Sequence, residues 1–136
     1  MPSAIRIRRE ILARLLEHAR QEPLKECCGL LAGQSGIITQ GFRATNVAND
    51  SAKAYEIAPE ELFRLMREIR TAGLEFVGIY HSHPTGENQA SARDVERAYY
   101  PDVAYFILSP RTNATRAARA FSIRKSQVTE LEILVE

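Results

Sequence analysis

The sequence predicts an α/β protein of the α+β kind, with a mostly antiparallel or mixed β-sheet flanked by helices. Three observations carry this. Residues 8–21 and the stretch from Pro59 to about Gly73 place apolar residues at helical spacing. "LEFVGIYHSH" is almost wholly apolar and β-branched or aromatic until its histidines, the pattern of a central strand. Short apolar runs separated by turn residues, "CCGLLAG" and "GIITQGF" above all, supply the remaining strands.

Taken in order, Ile5 and Ile7 form a short apolar start. Ile11, Leu12, Leu15, Leu16 and Ala19 then line one face of a helix that ends before Pro23. "CCGLLAG" and "GIITQGF" form a hairpin around Gln-Ser-Gly. "RATNVANDSAKA" is polar and turn-rich, a loop in which Asn46 suits an Asx turn, and it leads into a short strand at 55–57. Pro59, Glu60 and Glu61 start the second helix, whose stripe is Leu62, Phe63, Leu65, Met66 and Ile69, and Gly73 caps it. The central strand over 74–83 stops at Pro84, and a loop leads to a helix over 91–99. "VAYFILS" and "ARAFSI" are two further strands, and "VTELEILV" is a last strand or a mixture of strand and helix. Tyr99 and Tyr100 read as packing at a helix end, and His18 as a surface or capping residue of the first helix.

At 136 residues the chain fits one domain, 1–136, able to bury a core without staples. Eighteen Lys and Arg against seventeen Asp and Glu give no general electrostatic reason to expect nucleic acid or an anionic membrane as partner. Charges interrupt the apolar positions of the first twenty residues, so no signal peptide is expected, and no stretch has the length of a membrane span. The only cysteines, Cys27 and Cys28, are adjacent, which rules out a long-range disulfide framework and fits a reducing, cytoplasmic setting. They read as small apolar residues at the start of a buried strand.

Two of the three histidines, His81 and His83, stand one residue apart at the end of the central strand. Alternate side chains share a face, so both rings point the same way, about 6–7 Å apart at the backbone. Two imidazoles at that spacing can converge on one cation. A catalytic zinc takes three protein ligands and leaves a fourth position open, and Asp94 is the third candidate. Each piece also has a plainer account. A His-x-His pair alone is a weak signal. Ser91-x-x-Asp94 is nearly a capping box, and an aspartate turned to a cation could not reach fully back to the cap.

A fourth element lies upstream, Glu26 before Cys28-Gly29-Leu30-Leu31. With His81, His83, Pro84, Ser91 and Asp94 in that order and spacing, the chain over residues 5–125 resembles the JAMM, or MPN-plus, metalloprotease family. The resemblance implies an MPN/JAB fold, similar to that of cytidine deaminases. It also implies zinc (Zn2+) on His81, His83 and Asp94, Glu26 as general base toward water activated by the zinc, and Ser91 holding that water or the oxyanion. Without it, Glu26 could not be preferred over Glu22 or Glu87. One departure is Ala90, where relatives often carry proline.

The chain has no insertions of the size that grip two ubiquitins. It therefore looks like the small stand-alone prokaryotic members, for which a ubiquitin-like or sulfur carrier protein with a Gly-Gly tail is the expected substrate. An extended tail can pair with a strand edge through its main chain. An isopeptidase of the deubiquitinase type, a general small-peptide hydrolase, and a non-catalytic MPN scaffold are the alternatives. The scaffold is disfavoured because its ligands are lost in such proteins and are all present here. Oligomeric state is left open.

Overall fold

The computed structural model describes residues 3–111, 114 and 116–136. Its elements are β1 (Ala4–Ile7), α1 (Arg9–Gln21), β2 (Cys28–Gln34), β3 (Ile37–Ala44), α2 (Pro59–Thr71), β4 (Glu75–Ser82), α3 (Ala92–Glu96), β5 (Ala104–Leu108), β6 (Ala118–Arg124) and β7 (Gln127–Val135).

The strands follow the order β1-β3-β2-β4-β5-β6-β7 and close on themselves, because β1 pairs with both β3 and β7. The two β1 pairings and β4–β5 are parallel, and the other four are antiparallel. The sheet is thus mixed, within the class expected. The β2–β3 hairpin turns at Ser35 and Gly36, both at positive φ (55° and 78°), the handedness that matches strand twist. The β6–β7 hairpin makes the same turn without glycine, through Lys125 and Ser126 at φ 49° and 66°.

A core lies on each face of the sheet. Ile11, Leu15 and Ala19 of α1 pack with Leu31, Tyr80 and Phe106 on one side. Leu65 and Ile69 of α2 pack with Leu30, Ile79 and Ile107 on the other. Each Leu, Ile or Phe among them withdrawn from water contributes about 1.5–3 kcal/mol. β4 lies between β2 and β5 and ends against both cores, so its C-terminal end is held rigidly. Gly29 of β2 lets it approach so closely, since a Cβ there would lie 2.4 Å from the Tyr80 ring.

Several sequence expectations need correction. Residues 55–57 form no strand. Only an isolated bridge joins Asn46 to Ile57, because the Asn46 side chain takes backbone groups that a ladder would have used. α3 stops at Glu96 instead of continuing to Tyr99, since Arg97 leaves helical geometry and the Tyr100 N–H goes to the Tyr105 hydroxyl. Residues 127–135 are strand throughout. Phe63 is 65% exposed, with the Arg67 guanidinium over its ring. His18 is buried, its Nδ1 2.8 Å from the Tyr80 hydroxyl and its Nε2 2.7 Å from Glu22. Partners for both ring nitrogens allow that burial, and burial lowers its pKa. As expected, Gly73 ends α2 at φ 74°, with Leu74 N–H donating back to Ile69. Among the described residues no helix is long and apolar enough to cross a membrane.

Candidate metal centre

The end of β4 and the first turn of α3 meet at three side chains. His81 Nε2 and His83 Nε2 lie 3.2 Å apart. Asp94 sets Oδ1 3.2 Å from the first and Oδ2 3.1 Å from the second. His81 is buried within β4 and stacks on the Tyr55 ring at 4.5 Å. His83 follows the last residue of β4. Its N–H donates to the Leu108 carbonyl and its Nδ1 lies 2.8 Å from the Glu87 carbonyl. A carbonyl can only accept, so Nδ1 carries the proton and the Nε2 lone pair faces the cluster.

The capping box is present as well. Asp94 N–H donates to Ser91 Oγ, and Ser91 N–H donates to Asp94 Oδ2. The sequence reading set cap against cation. In the structure one carboxylate makes the cap and still faces both histidines, because Oδ2 accepts from the Ser91 amide and lies 3.1 Å from His83 Nε2 while Oδ1 faces His81. Burial alone would raise the Asp94 pKa, but His81 and His83 beside it and the hydrogen bond from the Ser91 N–H hold it well below the usual carboxylate range. Burial lowers the His81 pKa. Burial also opposes the charge on His83, yet the Asp94 carboxylate and the Glu87 carbonyl raise its pKa.

Glu26 precedes β2 and is 4% exposed, with Oε1 lacking a hydrogen-bond partner among the described residues. Its backbone is fixed on three sides. Its N–H donates to Ser51, its carbonyl accepts from Asn46 Nδ2 at 2.9 Å, and the next N–H, that of Cys27, donates to Ser82 Oγ at 2.9 Å. Burial pushes the carboxyl up to about 7. Asp94 adds to the rise, while His83 and Arg93 oppose it. Of the other acids weighed from sequence, Glu22 is engaged by His18 and Lys25, and Glu87 presents its carbonyl to His83.

A family model described as prokaryotic homologs of the JAB domain matches residues 8–124. The chain belongs to that family. Among curated relatives, a desampylase of Haloferax volcanii is 38% identical over 90% of this chain and 89% of its own. A CysO-cysteine peptidase of Mycobacterium tuberculosis is 32% identical over 91% and 86%. A protein from Desulfitobacterium hafniense, solved in solution, superposes with a TM-score of 0.84 at 27% identity, over 97% of this chain and 92% of that one. A structure described as a metalloprotease-like zinc site of the proteasome and signalosome shares the fold, with a TM-score of 0.62 at 18% identity over 96% and 98%. The expectation of a JAMM-type peptidase stands with this membership.

Within this JAB domain, His81, His83 and Asp94 form a group that could hold a metal ion, each ligand atom within 4.8 Å of the others. Two imidazole nitrogens and a carboxylate oxygen are the donors zinc prefers. The two imidazole nitrogens lie 3.2 Å apart, close to the edge of about 3.3 Å in a tetrahedron with metal–ligand bonds of about 2.0–2.1 Å, and each faces its own Asp94 oxygen at 3.1–3.2 Å. The residues therefore fit such an ion. Sequence reasoning missed the supports. Tyr55 stacks on His81, and Asn88, 7% exposed, anchors the 84–90 loop. Neither has a local signal, since each acts through elements distant in sequence. Asn46 does make the expected Asx turn to Ala48, but it also spans Glu26, Ala54 and Glu56.

Proposed function

We propose that this chain hydrolyses the amide or isopeptide bond at the C-terminal tail of a ubiquitin-like or sulfur carrier protein. Zinc is held by His81, His83 and Asp94, Glu26 is the general base, and Ser91 assists the reacting carbonyl. The observation that carries this reading is two imidazole nitrogens and a carboxylate converging at the end of β4, with the buried Glu26, whose Oε1 has no hydrogen-bond partner among the described residues, two positions before Cys28, the residue paired with His81. When bound, zinc would lower the pKa of a water toward ~7 and polarise the scissile carbonyl. Glu26 suits proton transfer at neutral pH, because a carboxyl near 7 can take a proton from the attacking water and return it to the leaving nitrogen. Ser91 Oγ already accepts from Asp94 N–H, so its own hydroxyl proton is available to the carbonyl oxygen as charge develops.

The relatives' names support the substrate class, one being a desampylase and another acting on a carrier–cysteine adduct. A Gly-Gly tail suits the reading, because residues without side chains let a backbone lie close to the buried cluster. The cytoplasm is proposed as the compartment on the pair Cys27 and Cys28, both free and buried. The test is mass spectrometry of carriers ending in Gly-Gly-Cys, Gly-Gly-Ala-Ala or Val-Val-Cys, with native and chelator-treated enzyme. Cleavage of the first two alone, abolished by chelator, is expected. Equal cleavage of all three indicates a general peptidase. Cleavage only of a lysine-linked conjugate indicates an isopeptidase, and no cleavage with zinc bound indicates a scaffold.

A further inference from the structure

The two histidines are held by different means. His81 leans on the Tyr55 ring, and its Nδ1 has no hydrogen-bond partner among the described residues. His83 has its tautomer and ring plane set by one acceptor, the Glu87 carbonyl at 2.8 Å. That carbonyl belongs to the loop between His83 and α3, so its placement needs a cause outside helix and strand.

The cause lies in the next residue. Asn88 is a buried amide whose Nδ2 donates to the Arg116 carbonyl at 2.7 Å and to the Ile107 carbonyl of β5 at 3.3 Å. Both amide hydrogens are used, and the loop is pinned to β5 and to the approach of β6. Arg111 adds a second tie, donating to the Gly86 carbonyl at 2.9 Å. Between these anchors the Glu87 carbonyl has little freedom to leave His83.

We infer that Asn88 is a positioning residue for the metal centre, acting through the Glu87 carbonyl to hold the His83 ring with Nε2 toward the cation. Removing the amide leaves the three ligands unchanged and frees the acceptor that orients one of them. Loss of such an outer partner typically weakens metal affinity 10–100-fold. The inference rests on the zinc reading proposed above.

The test is zinc affinity of the folded, metal-stripped chain, measured by competition with a chromophoric chelator, with the visible absorption of the cobalt(II)-loaded chain as second readout. While the apo chain remains folded, its affinity is insensitive to a modest loss of stability, so a merely structural role would leave both readouts unmoved. Asn88→Ala is expected to weaken zinc binding about 10–100-fold and shift the cobalt bands. Asn88→Ser, which keeps one donor, is expected to fall between it and wild type, and serves alone if the alanine variant does not fold. Asn46→Ala, which loses several part-buried amide bonds serving Glu26 and its loop, is the control, expected to bind zinc as wild type does. Wild-type affinity and spectrum in the Asn88 variants, or an equal loss in the Asn46 control, overturns the inference alone. A wild-type chain that binds no zinc overturns the zinc reading and this inference together.

Discussion

Glutamine at position 26 would keep the shape of the side chain and remove its base. Because Glu26 is fixed through its backbone by Ser51, Asn46 and Ser82, the fold should survive Glu26→Gln and zinc content should stay at wild type. Turnover is expected to fall by about 10²-fold or more, the scale of a positioned general base. Steady-state kinetics beside metal analysis checks this, and Glu87→Gln should keep near-normal rates because the group that meets His83 is the Glu87 carbonyl, which the substitution leaves in place. The thiols make a second prediction at this scale. Burial pushes Cys27 up to about 11 and Cys28 up to about 12, so neither forms a thiolate at neutral pH. A disulfide reagent should leave both untouched in the native chain and titrate both in denaturant. Residue by residue, the grouping of His81, His83 and Asp94, with Ser91 capping the turn that carries Asp94, was legible because all four lie within fourteen positions, where spacing reports geometry. Glu26 was not legible without the family pattern. What separates it from Glu22 is that His18 and Lys25 occupy Glu22, a fact of three dimensions.

Strand β2 is the element on which the site leans hardest, for it pairs with β4 from Cys28 opposite His81 to Gly33 opposite Glu75. Gly29 sits where a methyl group would meet both the Tyr80 ring and the Phe42 carbonyl at 2.4 Å. Gly29→Ala should therefore force β2 from β4 and cost about 1–3 kcal/mol, the range for overpacking, measured by urea denaturation. Elements with strong local patterns were readable, as α1, α2, the β2–β3 hairpin and β4 show. Those decided by distant partners were not. The strand expected at 55–57 gave way to the hydrogen bonds of Asn46, and α3 was cut short where the Tyr105 hydroxyl takes the Tyr100 N–H. The turn at Lys125 and Ser126 carries no glycine to announce it.

For the molecule as a whole, a cation bound by β4 and α3 together should stabilise the native state by mass action. A chelator is expected to lower the melting temperature of the wild type and to change that of His83→Ala little. The sign with pH follows from the imidazoles. They must be neutral to ligate, and the His83 pKa is raised, so protons compete with the cation from above the ordinary histidine range downward. The chelator-sensitive part of the stability should be full at alkaline pH and vanish as pH falls through that range, a trend that thermal scans with and without chelator can follow. What the sequence did not announce at this scale is closure, since nothing in "AIRI" says that it will join β3 to β7 in parallel. That seam brings Arg6 to Glu136, 130 positions apart, whereas β2 to β5 need nothing beyond Leu108 to pair. A chain leaving the ribosome can therefore assemble the strands around its chemistry while β7 is still unmade. Until β6 and β7 join it, the sheet ends in two open edges, one on β1 and one on β5, and an open edge is a template on which another strand can pair.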